Sequence, residues 1–185
     1  MKTWLINPFT YIAGYKALIT GFMFMTVTLV ISFYSKTHFD GAIDAHVGLQ
    51  TPFSVYVVEQ IIAWGSVVLT CYIVALFISR SALRFIDLAG TIALSRAPML
   101  LVSITGFMPV LQNAKPGQVS NAVLLIALVM IIPVIWMIAL MFNAFKTSAN
   151  VKGTRAIVGF IAALILAEIL SISMNHMIRP LLINQ

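Results

Sequence analysis

One carboxylate stands inside an otherwise apolar stretch near the carboxyl end of the chain. Glu168 lies close to the middle of residues 156–178, which hold no other charged side chain. A charge at the centre of a bilayer costs about 2.5–3.5 kcal/mol on insertion scales, so such a group faces the bundle interior, is paired or is protonated. Glu168 then serves either as a proton or cation relay or as an interhelical hydrogen bond that fixes the fold. We favour the hydrogen bond.

Further polar side chains are expected near Glu168. Ser171 and Asn175 follow it at helical spacing and therefore share its face of the helix. His176 and, on another predicted span, Glu59 are expected at a similar depth to Asn175. Together these residues form a candidate polar cluster within the membrane.

The first long connection between apolar stretches contains two imidazoles and two carboxylates, His38, Asp40, Asp44 and His46. Nitrogen and oxygen ligands of this kind bind zinc and other divalent ions. Their spacing matches no established ligand pattern, so a solvated loop without a metal is the favoured interpretation. No resident metal or other cofactor is predicted.

A second candidate surface consists of charged and small residues expected on the cytoplasmic side. Attraction to anionic head groups is its simplest role, and docking of an acidic cytoplasmic partner is the alternative. Its members are Arg80, Arg84, Asp87, Gly90, Arg96, Lys146, Lys152 and Arg155.

Composition excludes several classes of protein. Of the 185 residues, 61% are hydrophobic and 9% are charged, whereas a soluble domain carries about a quarter charged residues. The net charge of +6 comes from scattered basic residues, and nucleic-acid binding needs a clustered basic patch. The sequence has no His-Glu-x-x-His, Gly-x-Ser-x-Gly or P-loop motif, so the chain is not expected to be an enzyme.

The charged residues recur at intervals close to the length of a membrane-spanning helix, which is about 20 residues. This spacing predicts an all-α bundle, one transmembrane domain over 1–185. The predicted spans are residues 17–35, 57–79, 97–112, 122–142 and 156–178. Within residues 80–95, polar side chains fall on one helical face, which predicts an amphipathic helix lying on the cytoplasmic surface. A third span that begins early is the alternative.

The distribution of basic residues predicts the orientation. With the amino terminus inside, most of them lie on the cytoplasmic side, as the positive-inside rule requires. The outer segments then hold Lys36, Lys115 and Arg179, and the inner segments hold Lys2, Lys16 and the six basic residues named above. The carboxyl terminus is predicted outside, and the membrane is predicted to be a bacterial cytoplasmic (inner) membrane.

Three short segments resemble parts of the Ypt-interacting-protein (Yip) family of five-span membrane proteins, in particular its bacterial branch. Asn7-Pro8-Phe9 is similar to the lead-in of bacterial members, and residues 143–153 are similar to a short basic loop before the last span. Asp87-Leu88-Ala89-Gly90-Thr91 resembles the family's Asp-Leu-Tyr-Gly-Pro motif, with Ala89 and Thr91 in place of Tyr and Pro. Two spans precede the motif here, whereas in eukaryotic members it lies before the first.

The resemblance implies an integral membrane protein without enzymatic activity. Eukaryotic members bind Rab-type GTPases and shape trafficking membranes, and some bacterial members are associated with ABC-type exporters. We therefore expect an accessory or scaffold protein that makes lateral contacts with another membrane protein, or with further copies of itself. The alternative is a small transporter or channel subunit in which Glu168 titrates.

Overall fold

Most of the structure is helical with almost no sheet, and five helical stretches are long and apolar enough to cross a membrane. The computed structural model describes residues 5–114 and 120–183, so Lys2 and Lys115 lie outside the described residues. The predicted all-α bundle of five spans is confirmed. Its helices are α1 (Gly14–Ser35), α2 (Phe53–Ile78), α3 (Phe85–Ser95), α4 (Met99–Thr105), α5 (Pro109–Gln112), α6 (Asn121–Ser148) and α7 (Thr154–Ile183).

Two features accompany the helices. A 3-10 turn at Pro8–Thr10 precedes α1, and its Phe9 is buried in the core. Between α1 and α2, strands β1 (Thr37–His38) and β2 (His46–Val47) form a small antiparallel hairpin. We call the end of the bundle that carries residues 36–52 the loop face, and the end where α1 begins the opposite face.

The third span differs from the sequence prediction. Helices α3 and α4 follow one another with a break at residues 96–98 and together form the span Phe85–Thr105, of which 67% is buried. Residues 80–95 are therefore not a separate helix on the membrane surface. Their helical part is the beginning of the third span, and the predicted span 97–112 begins and ends too late.

Hydrogen bonds explain why the polar face of α3 is buried. The hydroxyl of Thr91 donates to the carbonyl of Asp87 at 2.7 Å, and that of Ser95 donates to the carbonyl of Ile92 at 2.7 Å. Because the helix's own backbone satisfies these side chains, they need no water. The polar pattern of α3 therefore lies against neighbouring helices.

Close backbone contact holds α3 against α1. A Cβ on Gly21 would lie 2.5 Å from the backbone nitrogen of Leu94, and one on Gly90 would lie 2.6 Å from the carbonyl oxygen of Gly14. Glycine is required where helix backbones approach this closely. Gly90 is therefore a packing residue, buried between two helices.

We expect Gly21→Ala to lower the free energy of unfolding by about 1–3 kcal/mol, the usual cost of overpacking. The methyl group would meet backbone atoms of α3, which cannot rotate away. Gly65→Ala is the matched control, because a Cβ there meets nothing within 4 Å. Reversible unfolding in mixed micelles measures both. Equal stability of the two variants would contradict the close packing of α1 and α3.

Candidate functional site

The connection between α1 and α2, residues 36–52, folds back into the bundle instead of lying in solvent. The side chains of His38, Phe39 and Ala42 are at most 1% exposed. The carbonyl of Ala42 is bonded to Arg96, which lies at the α3–α4 break, near the middle of the third span. The tip of this connection, which we call the inserted loop (residues 38–44), therefore reaches deep into the bundle.

Irregular backbone inside a bundle needs hydrogen-bond partners from side chains. Four side chains of the spans supply them, and we call this set the anchor residues. Arg96 Nη1 donates to the carbonyl of Ala42 at 2.9 Å, and Asn175 Nδ2 donates to the carbonyl of Asp40 at 2.8 Å. Glu59 Oε2 accepts from the Phe39 N–H at 3.2 Å, and Glu168 Oε2 accepts from the Ile43 N–H at 3.0 Å.

The centre of the inserted loop requires glycine. A Cβ on Gly41 would collide with Glu168 Oε1 and would lie 2.7 Å from the Cβ of Asp44. The absence of a side chain lets the Glu168 carboxylate reach the loop backbone. Glu168 is therefore a ligand of the loop, where the sequence predicts an interhelical hydrogen bond or a relay.

A buried ion pair joins the loop to α2. His38 Nδ1 lies 3.0 and 3.1 Å from the two carboxylate oxygens of Glu59, and the side chains are 0% and 2% exposed. His38 Nε2 lies 3.0 Å from the carbonyl oxygen of Leu49. Nε2 therefore donates to the Leu49 carbonyl, and Nδ1 shares a hydrogen bond with the Glu59 carboxyl group. The ring also stacks on Tyr56 at a centroid distance of 4.5 Å.

Arg96 is the buried cation of the anchor. It is 2% exposed, and its Nε and Nη2 have no hydrogen-bond partner among the described residues. The Glu168 carboxylate interacts with it electrostatically, although the two form no direct ion pair. The guanidinium of Arg96 and the carboxylate of Glu168 therefore lie in the interior near the loop tip. Each forms a hydrogen bond with the backbone of the inserted loop.

A second charged cluster lies where the loop meets the loop face. His46 Nδ1 is 3.2 Å from Asp40 Oδ1, and Arg179 is 3.9 Å from Asp40 Oδ2. The hydrogen bond to His46 holds the pKa of Asp40 below its usual value, and the same bond raises the pKa of His46 above its usual value, although partial burial opposes both shifts.

This pair predicts a pH window for the loop. His46 stabilises it fully below pH 6.5 and less as the pH rises through its raised pKa, whereas Asp40 stabilises it above pH 3.8 and less as the pH falls through its lowered pKa. We expect hydrogen exchange of residues 38–47, corrected for intrinsic rates, to accelerate above neutral pH. His46→Gln should remove this alkaline acceleration; the same acceleration in that variant would assign it to another group.

The predicted metal candidates separate into two groups. The ligand atoms of Asp40, Asp44 and His46 lie within 4.8 Å of one another, so three of the four residues do meet. His38 does not join them, because both of its nitrogens are bonded elsewhere. Arg179 and His46 pair with the carboxylate of Asp40, so the contacts of this cluster are those of an ion-pair network and do not require a metal ion.

The predicted polar cluster also takes a different form. Glu59 and Asn175 each bond to the loop instead of to each other, and Ser171 is buried with its hydroxyl donating to the Glu168 carbonyl. His176 is exposed. The polar stripe of α7 thus faces the inserted loop.

The predicted basic surface lies at the opposite face, with two corrections. Arg96 is buried in the anchor, and Gly90 is buried against α1, so neither is available to a partner. Asp87 is partly exposed and lies 3.6 Å from Arg84. The remaining members are exposed: Arg80, Arg84, Lys146, Lys152 and Arg155.

The motif resemblance falls on residues that pack. Residues 88–91 are buried, so this segment holds α3 in the bundle and does not present a docking motif. Five apolar helices make the chain an integral membrane protein. Comparisons with family models, curated proteins and solved structures find no match to the chain.

Proposed function

We propose that this protein is a non-enzymatic accessory or scaffold protein that acts through lateral contacts with another membrane protein. The bundle interior supports this function. Glu59, Arg96 and Glu168 all bind the inserted loop. Because these intramembrane charges bind the loop, they support a structural role for the bundle interior, and we place the contact with a partner on a lateral surface of the helices.

The observation that carries the proposal is a seam of large apolar residues on α6. Leu125, Leu128, Ile132 and Ile135 follow one another at steps of three, four and three and are 64%, 62%, 67% and 60% exposed. This is the spacing at which helices interlock side chains in a coiled coil. Only 17% of the α6 window is buried, against 67% for the third span. Helix α6 therefore offers a regular packing surface that the chain itself leaves uncovered.

A photo-crosslinking residue at Leu128 tests the proposal in native membranes. We expect one discrete adduct, whose mass identifies either another membrane protein or a second copy of this chain. The adduct should disappear when Leu125 and Ile132 are both changed to Ala. Ile165 on α7, which is 56% exposed, is the matched control position and should give no such adduct. The same diffuse adducts from both positions would show that α6 faces lipid only.

We also propose a bacterial cytoplasmic membrane with the amino terminus inside. The exposed basic residues of the opposite face support this orientation, because basic residues accumulate on the cytoplasmic side. Lys36 lies at the end of α1 on the loop face, and Arg80 lies just after the end of α2 on the opposite face. Cysteines at these positions should react with an impermeant reagent from opposite sides of sealed vesicles, Arg80→Cys from the cytoplasmic side.

A transporter in which Glu168 titrates is the second candidate function. It is favoured by the position of Glu168, which lies midway along α7 and holds a loop that would have to move for a path to open. Glu168→Gln separates the two functions. If the protein is a transporter, the variant should lose transport although it still folds. If the protein is a scaffold, the variant should keep the Leu128 adduct in proportion to the amount of folded protein.

A further inference from the structure

A cavity opens between the inserted loop, α4 and the first half of α6. Its volume is about 480 Å³, which falls within the range of about 300–1,000 Å³ that is usual for small-molecule sites. One wall is formed by α6 through Val123, Ala127, Met130 and Val134. This wall is a different side of α6 from the seam at Leu128.

The length of the cavity matches one leaflet of a membrane. Its α6 wall runs from Val123 to Val134, a distance of about 16 Å at 1.5 Å per residue. Half of the hydrocarbon core of a bilayer is about 15 Å thick. Since one wall of the cavity is a membrane-spanning helix, the cavity lies at the level of the bilayer hydrocarbon, and one extended acyl chain has the length to fill it.

The ionisable groups that line the cavity both belong to the connection between α1 and α2. Asp44 and His46 line it where the hairpin meets the loop face, and the α6 wall is apolar. Asp40 is balanced by His46 and Arg179. Asp44 forms no ion pair with any residue of 5–114 or 120–183, and its carboxylate accepts a bond from the Ala45 N–H at 2.8 Å. The mouth of the cavity therefore carries an exposed carboxylate that no other side chain among the described residues pairs with directly.

We propose that this cavity binds one acyl chain of a membrane phospholipid whose head group carries a primary ammonium, with Asp44 receiving the ammonium. The apolar wall takes the chain, and the carboxylate selects the head group by charge. Phosphatidylethanolamine has this chemistry, whereas phosphatidylglycerol has no cation. The site is independent of the α6 seam, so either proposal can fail alone.

The test uses the full chain reconstituted in nanodiscs that contain equal amounts of phosphatidylethanolamine and phosphatidylglycerol. Native mass spectrometry after release counts the lipids that stay bound. We expect one retained lipid, with phosphatidylethanolamine favoured about two- to fivefold, the ratio that a partly exposed ion pair gives. Retention at the bulk ratio in the wild type would overturn the head-group assignment.

Three variants locate the site. Ala127→Trp fills the cavity and should abolish retention, and Ala122→Trp on the same helix, outside the cavity lining, should retain lipid as the wild type does. Asp44→Asn should keep the lipid but lose the preference. Unchanged retention in Ala127→Trp would overturn the chain site, and an unchanged preference in Asp44→Asn would overturn the role of Asp44.

A soluble competitor separates a lipid from a free amine. Glycerophosphoethanolamine has the head group without the chains and should not displace the bound lipid even in large excess. Displacement would show that the mouth binds the amine alone, and the lipid assignment would then be wrong.

Discussion

Glu59→Gln should lower the free energy of unfolding by about 3–5 kcal/mol, the cost of breaking a buried ion pair by removing one partner. Both carboxylate oxygens of Glu59 lie within hydrogen-bond distance of His38 Nδ1, and Oε2 also accepts from the Phe39 N–H. Glutamine at this position would leave the buried imidazole of His38 without a carboxylate partner. Reversible unfolding in mixed micelles measures the loss.

The double variant His38→Leu, Glu59→Leu provides the control. Removing both charges avoids an unpaired ion, so it should be more stable than the sum of the two single changes predicts. Additive losses would show that His38 and Glu59 contribute independently to stability, and would contradict the pairing that their distances of 3.0 and 3.1 Å indicate.

Arg96→Met should cost about 3 kcal/mol or more, because it leaves the Ala42 carbonyl without its donor and Glu168 without a nearby cation. Arg155→Met is the matched control. Arg155 is exposed on the opposite face, where a substitution changes stability by about 0.5 kcal/mol or less. If the two variants were equally stable, Arg96 would not be an anchor.

A cycle with Glu168→Gln extends this prediction. The cost of Arg96→Met should be smaller in the Glu168→Gln background, since the carboxylate that needs the cation is then already neutral. An equal cost in both backgrounds would show that the two charges do not interact across the loop tip.

The spans were predictable because each leaves a local signal. Charged residues mark the ends of apolar stretches, and the bilayer fixes the length between them. The same reasoning placed Glu168 within a span and grouped Ser171 and Asn175 on its face. These statements depend on residues close together in sequence, which a single chain displays directly.

The inserted loop was not predictable in the same way, because its bonds join distant residues. Ile43 and Glu168 are 125 positions apart, and Arg96 and Ala42 are 54 apart. Periodicity carries no information at such separations. A signal was nevertheless present in the apolar residues around Gly41, namely Phe39, Ala42 and Ile43, which are unusual in a solvated loop.

Helix α3 shows a second limit of pattern reasoning. Its polar stripe predicted contact with water, but the hydroxyls of Thr91 and Ser95 are satisfied by their own helix. In short-chain residues of this kind, polarity in the sequence does not mark exposure. The same face then packs against neighbouring helices and carries Arg96 into the interior just after Ser95.

Cysteine labelling shows directly whether the inserted loop is buried in the bundle. In permeabilised vesicles, Leu49→Cys should react rapidly with a polar maleimide, since Leu49 is 85% exposed. Ala42→Cys should be protected, as should the native Cys71, which is buried, and Ala42→Cys should become reactive when Glu59→Gln is added. Equal, rapid labelling of Leu49→Cys and Ala42→Cys in the otherwise native chain would contradict the account.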